Sequence, residues 1–170
     1  MKKMLVIICT CLITVSATAQ DKFTVPSLTD QQKYNTAAWQ WNGAYIILIK
    51  YAKSLGKTVE EAAEAVGSLA ASTWNREMTF DDLVNSMLYI YVVMNPAGKV
   101  EILEQSADKV TFSITDFYKP LDQMLAEYKV TRGELSKFYE IYAGQIAAII
   151  GAALITNETG EVITVTVSKN

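Results

Sequence analysis

The chain has 170 residues, 51% of them hydrophobic, with 15 basic and 18 acidic side chains and a net charge of −3. It contains no histidine, and its two cysteines, Cys9 and Cys11, both fall within the first eleven residues. That composition excludes imidazole bases, His-ligated metal or haem centres and Ser-His-Asp triads, and beyond Cys11 it excludes disulfides and thiol nucleophiles.

Residues 1–19 have the layout of a secretory signal peptide. Lys2 and Lys3 precede an apolar run from Met4 to Val15, followed by the small-residue site Ala17-Thr18-Ala19, so cleavage is expected before Gln20. The run is too short for a permanent transmembrane helix. Cys11 follows Thr10 and is itself followed by apolar Leu12 and Ile13. Both cysteines therefore read as filler of the apolar run rather than as a lipid-attachment site.

Cleavage leaves 13 basic against 18 acidic residues, a charge of −5, and a location that is periplasmic or secreted. Residues 20–170 are long enough for one domain with a real core. Such an acidic chain, with Arg76 and Arg132 as its sole arginines, predicts no nucleic-acid partner. The absence of a polybasic cluster predicts no stable membrane insertion after cleavage and no hold on anionic lipid. No cofactor or metal is expected, so core packing has to supply the stability that disulfides give many exported domains.

Helix starts are legible as capping boxes, in which a Thr hydroxyl and a side chain three residues on satisfy each other's backbone amides. Thr29-Asp30-Gln31-Gln32, Thr58-Val59-Glu60-Glu61 and Thr131-Arg132-Gly133-Glu134 fit the pattern, and Thr79-Phe80-Asp81-Asp82 is a weaker version. The first helix is predicted over 30–55, stopping at Gly56, with apolar positions Ala38, Trp41, Tyr45, Leu48, Ile49 and Ala52. The second, over 59–74, carries the small residues Ala63, Gly67, Ala70 and Ala71, suited to close helix packing. The third, over 80–94, places Leu83, Val84, Met87, Leu88 and Tyr91 on one side and ends at Asn95-Pro96-Ala97-Gly98.

Alternation then replaces helical spacing. Residues 100–105 and 109–115 read as a hairpin joined at Ser106-Ala107-Asp108. Pro120 opens a short helix reaching Tyr128. A long helix over 132–152 follows, and a second hairpin turns at Asn157–Gly160 with a strand over 162–167. The predicted class is α+β: one domain, a small antiparallel sheet of about four strands with helices on one face.

The second half, VEILEQSADKVTFSIT, then FYEIYAGQIAAIIGAAL, then ITNETGEVITVTVSK, resembles the C-terminal arrangement of vinyl-4-reductase-type domains. It is also similar to the proteins grouped with aminothiazoline-carboxylate hydrolases, and to the ligand-binding fold shared by haem–nitric-oxide sensors and Golgi transport subunits. The resemblance implies a ligand-holding α+β fold. Those domains place Cys after the second strand and Cys or His in the closing segment. Here the matching stretches read Asp116-Phe117-Tyr118-Lys119-Pro120 and Asn157-Glu158-Thr159-Gly160, so the family's metal and thiol chemistry does not carry over.

Aromatic residues are the remaining candidates for function. Trp41, Tyr45, Phe117 and Tyr142 can line a pocket for a small apolar or aromatic ligand, with Asp116 as a polar anchor; the plainer alternative is core packing and a turn aspartate. Trp39 and Trp41 point to different faces, and Trp41 is favoured because it lies on the apolar stripe. Arg76, beside Trp74, could hold a ligand carboxylate or form a helix-end ion pair. Gly144, Ala148 and Ala152 form a small-residue side expected to pack on the hairpins, or to serve a homodimer. The sequence thus supports an exported small-molecule-binding module. The alternatives are an amidohydrolase-like enzyme with a carboxylate base and a pocketless envelope interaction protein. N-terminal sequencing of the exported protein should read Gln20 first; an intact Met1, or acylation at Cys11, would contradict the leader assignment.

Overall fold

Reciprocal caps organise the helical layer. A computed structural model describes residues 26–170; the expected leader, its expected cleavage point and both cysteines lie outside the described residues. Helices α1 (Asp30–Ser54), α2 (Val59–Thr73), α3 (Phe80–Met94) and α5 (Arg132–Ala147) each begin after a threonine. The hydroxyls of Thr29, Thr58, Thr79 and Thr131 accept the amides three residues on at 3.1–3.2 Å. Gln32, Glu61, Asp82 and Glu134 accept the four threonine amides at 2.8–2.9 Å. The weaker Thr79–Asp82 pattern therefore closes as completely as the others. Hydrogen bonding from the cap amides holds the Glu61 and Asp82 carboxyls below their usual range.

Helix α1 stops where the sequence places its end. Gly56 takes φ 75°, and the amides of Gly56 and Lys57 reach back to the carbonyls of Lys53 and Ala52 at 3.1 and 3.0 Å. A left-handed residue after the last turn, with these two crossed bonds, satisfies carbonyls the helix would leave open. The turn lets α2 fold back beside α1. At Gly67 an added Cβ would lie 3.0 Å from the Gln145 side chain and 3.1 Å from the Tyr142 Cα, so α2 and α5 touch almost backbone to backbone there.

Strands β1 (Val100–Gln105), β2 (Lys109–Thr115), β3 (Ala152–Thr159) and β4 (Val162–Lys169) form one antiparallel sheet in the order β1-β2-β4-β3. The fold class is α+β, as the alternation predicts. Cross-strand register puts Phe112 opposite Val165, Val110 opposite Val167 and Ile114 opposite Ile163. These six side chains, with Ala152 and Leu154 of β3, are buried beneath the helices. The opposite face carries Thr111, Ser113, Thr115, Thr164, Thr166 and Ser168, with the Thr111 and Thr166 hydroxyls 3.2 Å apart. Period-two patterning thus separates a core face from a hydroxyl face. The closing hairpin turns tightly at Gly160-Glu161, with Gly160 at φ 63°, and its strands run longer than the sequence suggests.

A short 3₁₀ turn at Lys119–Leu121, carrying Pro120, leads into α4 (Asp122–Tyr128). Arg132 then ties three elements together. Its guanidinium donates twice to Asp122 at 2.9 and 2.7 Å and once to Glu161 at 2.8 Å, while lying 5.5 Å from the Tyr118 ring centre. This places the start of α5 against α4 and the β3–β4 turn.

Two expectations fail around the end of α5. The helix stops at Ala147 rather than continuing to Ala152, passes through a 3₁₀ turn at Ala148–Ile150, and breaks at Gly151 with φ 71°. Ala152 is already the buried first residue of β3. Nor does the Gly144/Ala148 side pack on the hairpins: a Cβ on Gly144 would meet nothing within 4 Å, and Ala148 is exposed. The packed side is Leu135, Phe138, Tyr139, Ala143, Ile146 and Ala147. These two glycines predict opposite responses, measured by urea denaturation. Gly144→Ala should gain about 0.5–1 kcal/mol by removing backbone freedom from the unfolded chain. Gly67→Leu should lose about 1–3 kcal/mol by forcing α2 off α5.

Candidate functional site

The residues singled out from sequence fall in three places. Trp41 and Tyr45 from α1 and Tyr142 from α5 line one crevice, closed by Met87, Ile90 and Tyr91 of α3. The Tyr45 ring lies 5.7 Å from Tyr142, 5.4 Å from Phe138 and 5.3 Å from Tyr139. The crevice holds only about 40 Å³, room for a few waters and far below the several hundred Å³ of a ligand site. Trp41 is a wall of this crevice and not a core residue: 53% of it is exposed.

Phe117 lies on the other side of Tyr139, with ring centres 5.8 Å apart, and also contacts Tyr91 and Tyr118. It belongs to the aromatic core and does not reach the crevice. Asp116 is the turn residue after β2. Its φ of 53° is left-handed, a conformation aspartate tolerates better than most side chains, and its amide donates to the Glu161 carbonyl at 3.2 Å. The turn aspartate, not the polar anchor, is the role this geometry describes. Arg76 sits within a local turn in which the Glu77 amide donates to the Asn75 side chain at 3.0 Å.

Burial pushes the interior phenols upward. Tyr45 is raised by desolvation and by its neighbour Tyr142, and Tyr91 and Tyr139 are raised mainly by desolvation. Burial also raises Glu140 of α5, but the Thr156 hydroxyl, the Lys137 ammonium and the Thr156 amide outweigh it and leave the carboxyl below its usual range. Phenols moved up and a carboxylate moved down are both displaced away from neutrality. A general base working near pH 7 needs the reverse.

A second hollow is ten times larger. About 410 Å³ opens between the first half of α1, the loop after α3 and the 3₁₀ turn before α4. Ala38, Trp39, Met94, Pro96, Pro120 and Leu121 form its walls, and the exposed Gln31, Asn35 and Thr36 edge it. Gln31 donates to Asn35 at 2.8 Å. Trp39 is 49% exposed and stands over the opening.

Asn42 forms the floor and is 2% exposed. Its amide nitrogen donates to the carbonyls of Ala38 and Met94 at 2.9 and 3.0 Å, and its oxygen accepts from the Tyr139 hydroxyl at 2.8 Å. The amide's hydrogens are thus committed, and the bottom of the cleft behaves as an apolar surface. One wall is held from behind: Asn95 donates to the Thr115 carbonyl at 2.9 Å, and the Lys99 amide donates to the Thr115 hydroxyl at 3.1 Å. A Cβ on Gly98 would fall 1.9 Å from the Thr115 carbonyl oxygen, so only glycine lets this loop close on β2. The Tyr34 hydroxyl donates to the Val92 carbonyl at 2.7 Å and fastens the start of α1 to α3.

Sequence reasoning missed both features of this cleft. Asn42 had a visible signal: it lies four residues after Ala38 and four before Ile46, a lone amide on the buried stripe. Trp39 had none, because Pro96 and Pro120 are close to it only in the fold. Among the described residues no three His, Cys, Asp or Glu side chains stand together to hold a metal ion, and no helix is long and apolar enough to cross a membrane. Compared with protein-family models and with curated proteins, the chain gives no match to either.

The Asn42–Tyr139 pair yields a double-mutant test by urea denaturation. Asn42→Ala strands the Tyr139 hydroxyl and the Met94 carbonyl, and Tyr139→Phe strands the Asn42 oxygen; each should cost about 1–3 kcal/mol. The double variant should cost less than the two losses added, by about 0.5–3 kcal/mol.

Proposed function

We propose that this protein is an exported binding module for a small apolar or aromatic molecule, which it holds in the Trp39 cleft. One observation carries the reading. Among the described hollows, this cleft combines a volume in the ligand range with apolar walls, a floor whose hydrogen bonds are already used, and a few polar groups at the edge. A charged or strongly polar ligand would lose its hydration there without finding partners. A planar apolar one would stack on Trp39 and sit between the two prolines.

The leader-like first nineteen residues support export. The order of hairpin, helix and hairpin in the second half supports the resemblance to ligand-holding domains of the vinyl-4-reductase type, here without Cys or His. A hydrolase using Asp116 draws less support, since that residue faces neither hollow and no base displaced toward neutrality adjoins it.

A thermal-shift screen of neutral aromatic and alicyclic compounds tests the proposal. A ligand at a hundred times its Kd should stabilise the fold by about 2.7 kcal/mol. Trp39→Ala should abolish that gain and leave the empty protein within roughly 0.5 kcal/mol of the parent, as for an exposed side chain. Trp41→Ala should retain the gain. No stabilisation by any compound, or binding that survives Trp39→Ala, would remove the cleft as the site.

A further inference from the structure

Helix α1 carries a second apolar stripe that its own fold covers only in part. The buried stripe is Ala38, Asn42, Ile46, Ile49 and Ala52. Beside it run Trp41, Ala44, Leu48, Tyr51 and Leu55, spaced three, four, three and four, the spacing of a helix–helix seam. Tyr51 is 60% exposed and Leu55 62% exposed, and Leu69 on α2 is 70% exposed. Leu48, Tyr51 and Leu55 face Ala62, Ala65 and Val66 of α2 across a groove of about 630 Å³.

We propose that this groove is the contact surface for a second copy of the chain, α1 and α2 packing on the same two helices across a two-fold axis. Shape is the first reason. Large side chains on α1 stand beside a trough floored by alanines on α2, so a two-fold rotation sets each copy's ridge into the other's trough. Area is the second. Large aromatic side chains cover about 150–250 Å² each, so Trp41 and Tyr51 offer about 100 Å² apiece at their observed exposure. With Leu55 and with Leu69 beside the groove, the large side chains alone supply about 400 Å² per partner, in the range of small interfaces that dissociate on dilution.

Charge is the third reason, and it separates a second copy from a lipid surface. Apart from its apolar lining and Ser68, the groove carries Lys57, Glu61 and Glu64. Lys57 pairs with Glu61 at 3.0 Å, while Glu64 makes no ion pair among the described residues. An acidic rim repels anionic lipid. Across a two-fold axis the same rim matches itself, Lys57 of each copy lying toward Glu64 of the other.

Sedimentation velocity on the purified protein, diluted from high to low micromolar concentration, tests the proposal. A species of twice the chain's mass is expected, dissociating on dilution. Tyr51→Glu, Leu55→Glu and Leu69→Glu should each weaken it roughly 30-fold or more, the loss of a central contact. Near-UV circular dichroism should remain that of the parent. Ile155→Glu, at an exposed apolar position on β3, should leave the dimer intact. Glu64→Lys should weaken association, and adding Lys57→Glu should restore it. A protein monomeric at every concentration, or a dimer that survives all three helix variants, overturns the proposal.

Discussion

One buried amide sets the geometry on which the rest depends. An amide taken out of water costs several kcal/mol unless it is satisfied, so Asn42 can occupy the core only where its three hydrogen bonds all form. Those bonds run to α1 itself, to the last residue of α3 and to Tyr139 of α5. Apolar packing between three helices tolerates small slides and rotations. A fully used amide does not, because sliding any of the three helices breaks a bond with no water at hand to replace it. The Tyr139 ring then carries this fixed point outward. It packs against Tyr45 on α1 and against Phe117 at the end of β2, and Phe117 contacts Tyr91, which packs on Phe112 within the sheet. Hydrogen bonding supplies the register and the aromatic chain transmits it to the strands.

The larger cleft follows from that arrangement. Its floor exists because Asn42 is turned inward, and its depth is set where Met94 ends α3. Its walls are stiff for separate reasons. Pro96 and Pro120 have restricted backbones, and the Gly98 loop is fastened to Thr115 by two side-chain hydrogen bonds. A hollow whose lining is already held loses little freedom when it takes a ligand, which favours binding by preorganisation over closure. The same stiffness makes the smaller crevice at Trp41 a packing defect between helices. Among its walls, the Tyr45 ring is already held in edge and tilted contacts with Tyr139 and Tyr142.

What the sequence made legible was local. A capping box is complete within four residues, so Thr29, Thr58, Thr79 and Thr131 announce helices without reference to the rest of the chain. The hairpins are nearly as local, each joining neighbouring strands through a short turn. The end of α5 is different. In AAIIGAALI every residue is apolar or glycine, so helical and strand periodicities fit equally well, and the left-handed Gly151 decides only in the fold. The burial of Trp41 was ambiguous for a related reason: α1 has two adjacent apolar stripes, periodicity alone does not say which faces inward, and Trp41 lies on the more exposed one. Asn42 would have said so, since a lone amide flanked at i−4 and i+4 by apolar residues marks a satisfied core position. The partners that satisfy it, 52 and 97 residues away, are beyond any local pattern.

The protein's exposed surface is divided as sharply as its interior. The outer face of the sheet is lined with threonine and serine hydroxyls, most of them half-exposed, with those of Thr111 and Thr166 3.2 Å apart. The β1 edge carries a bulge between Ile102 and Glu104 and ion pairs from Glu104 to Lys109 and Glu101 to Lys99. Those are the devices by which sheets avoid pairing with other sheets. Nothing comparable guards α1 and α2. Large apolar side chains there stand in water beside a trough, and the one charge cluster lies at its margin. The groove between α1 and α2, unlike the β1 edge, is therefore an unguarded apolar surface. That surface is separate from the cleft, which lies between α1, the loop after α3 and the turn before α4. The two proposed sites would therefore share α1 without competing for it: Trp39 lines the cleft, and the stripe from Trp41 to Leu55 borders the proposed self-contact.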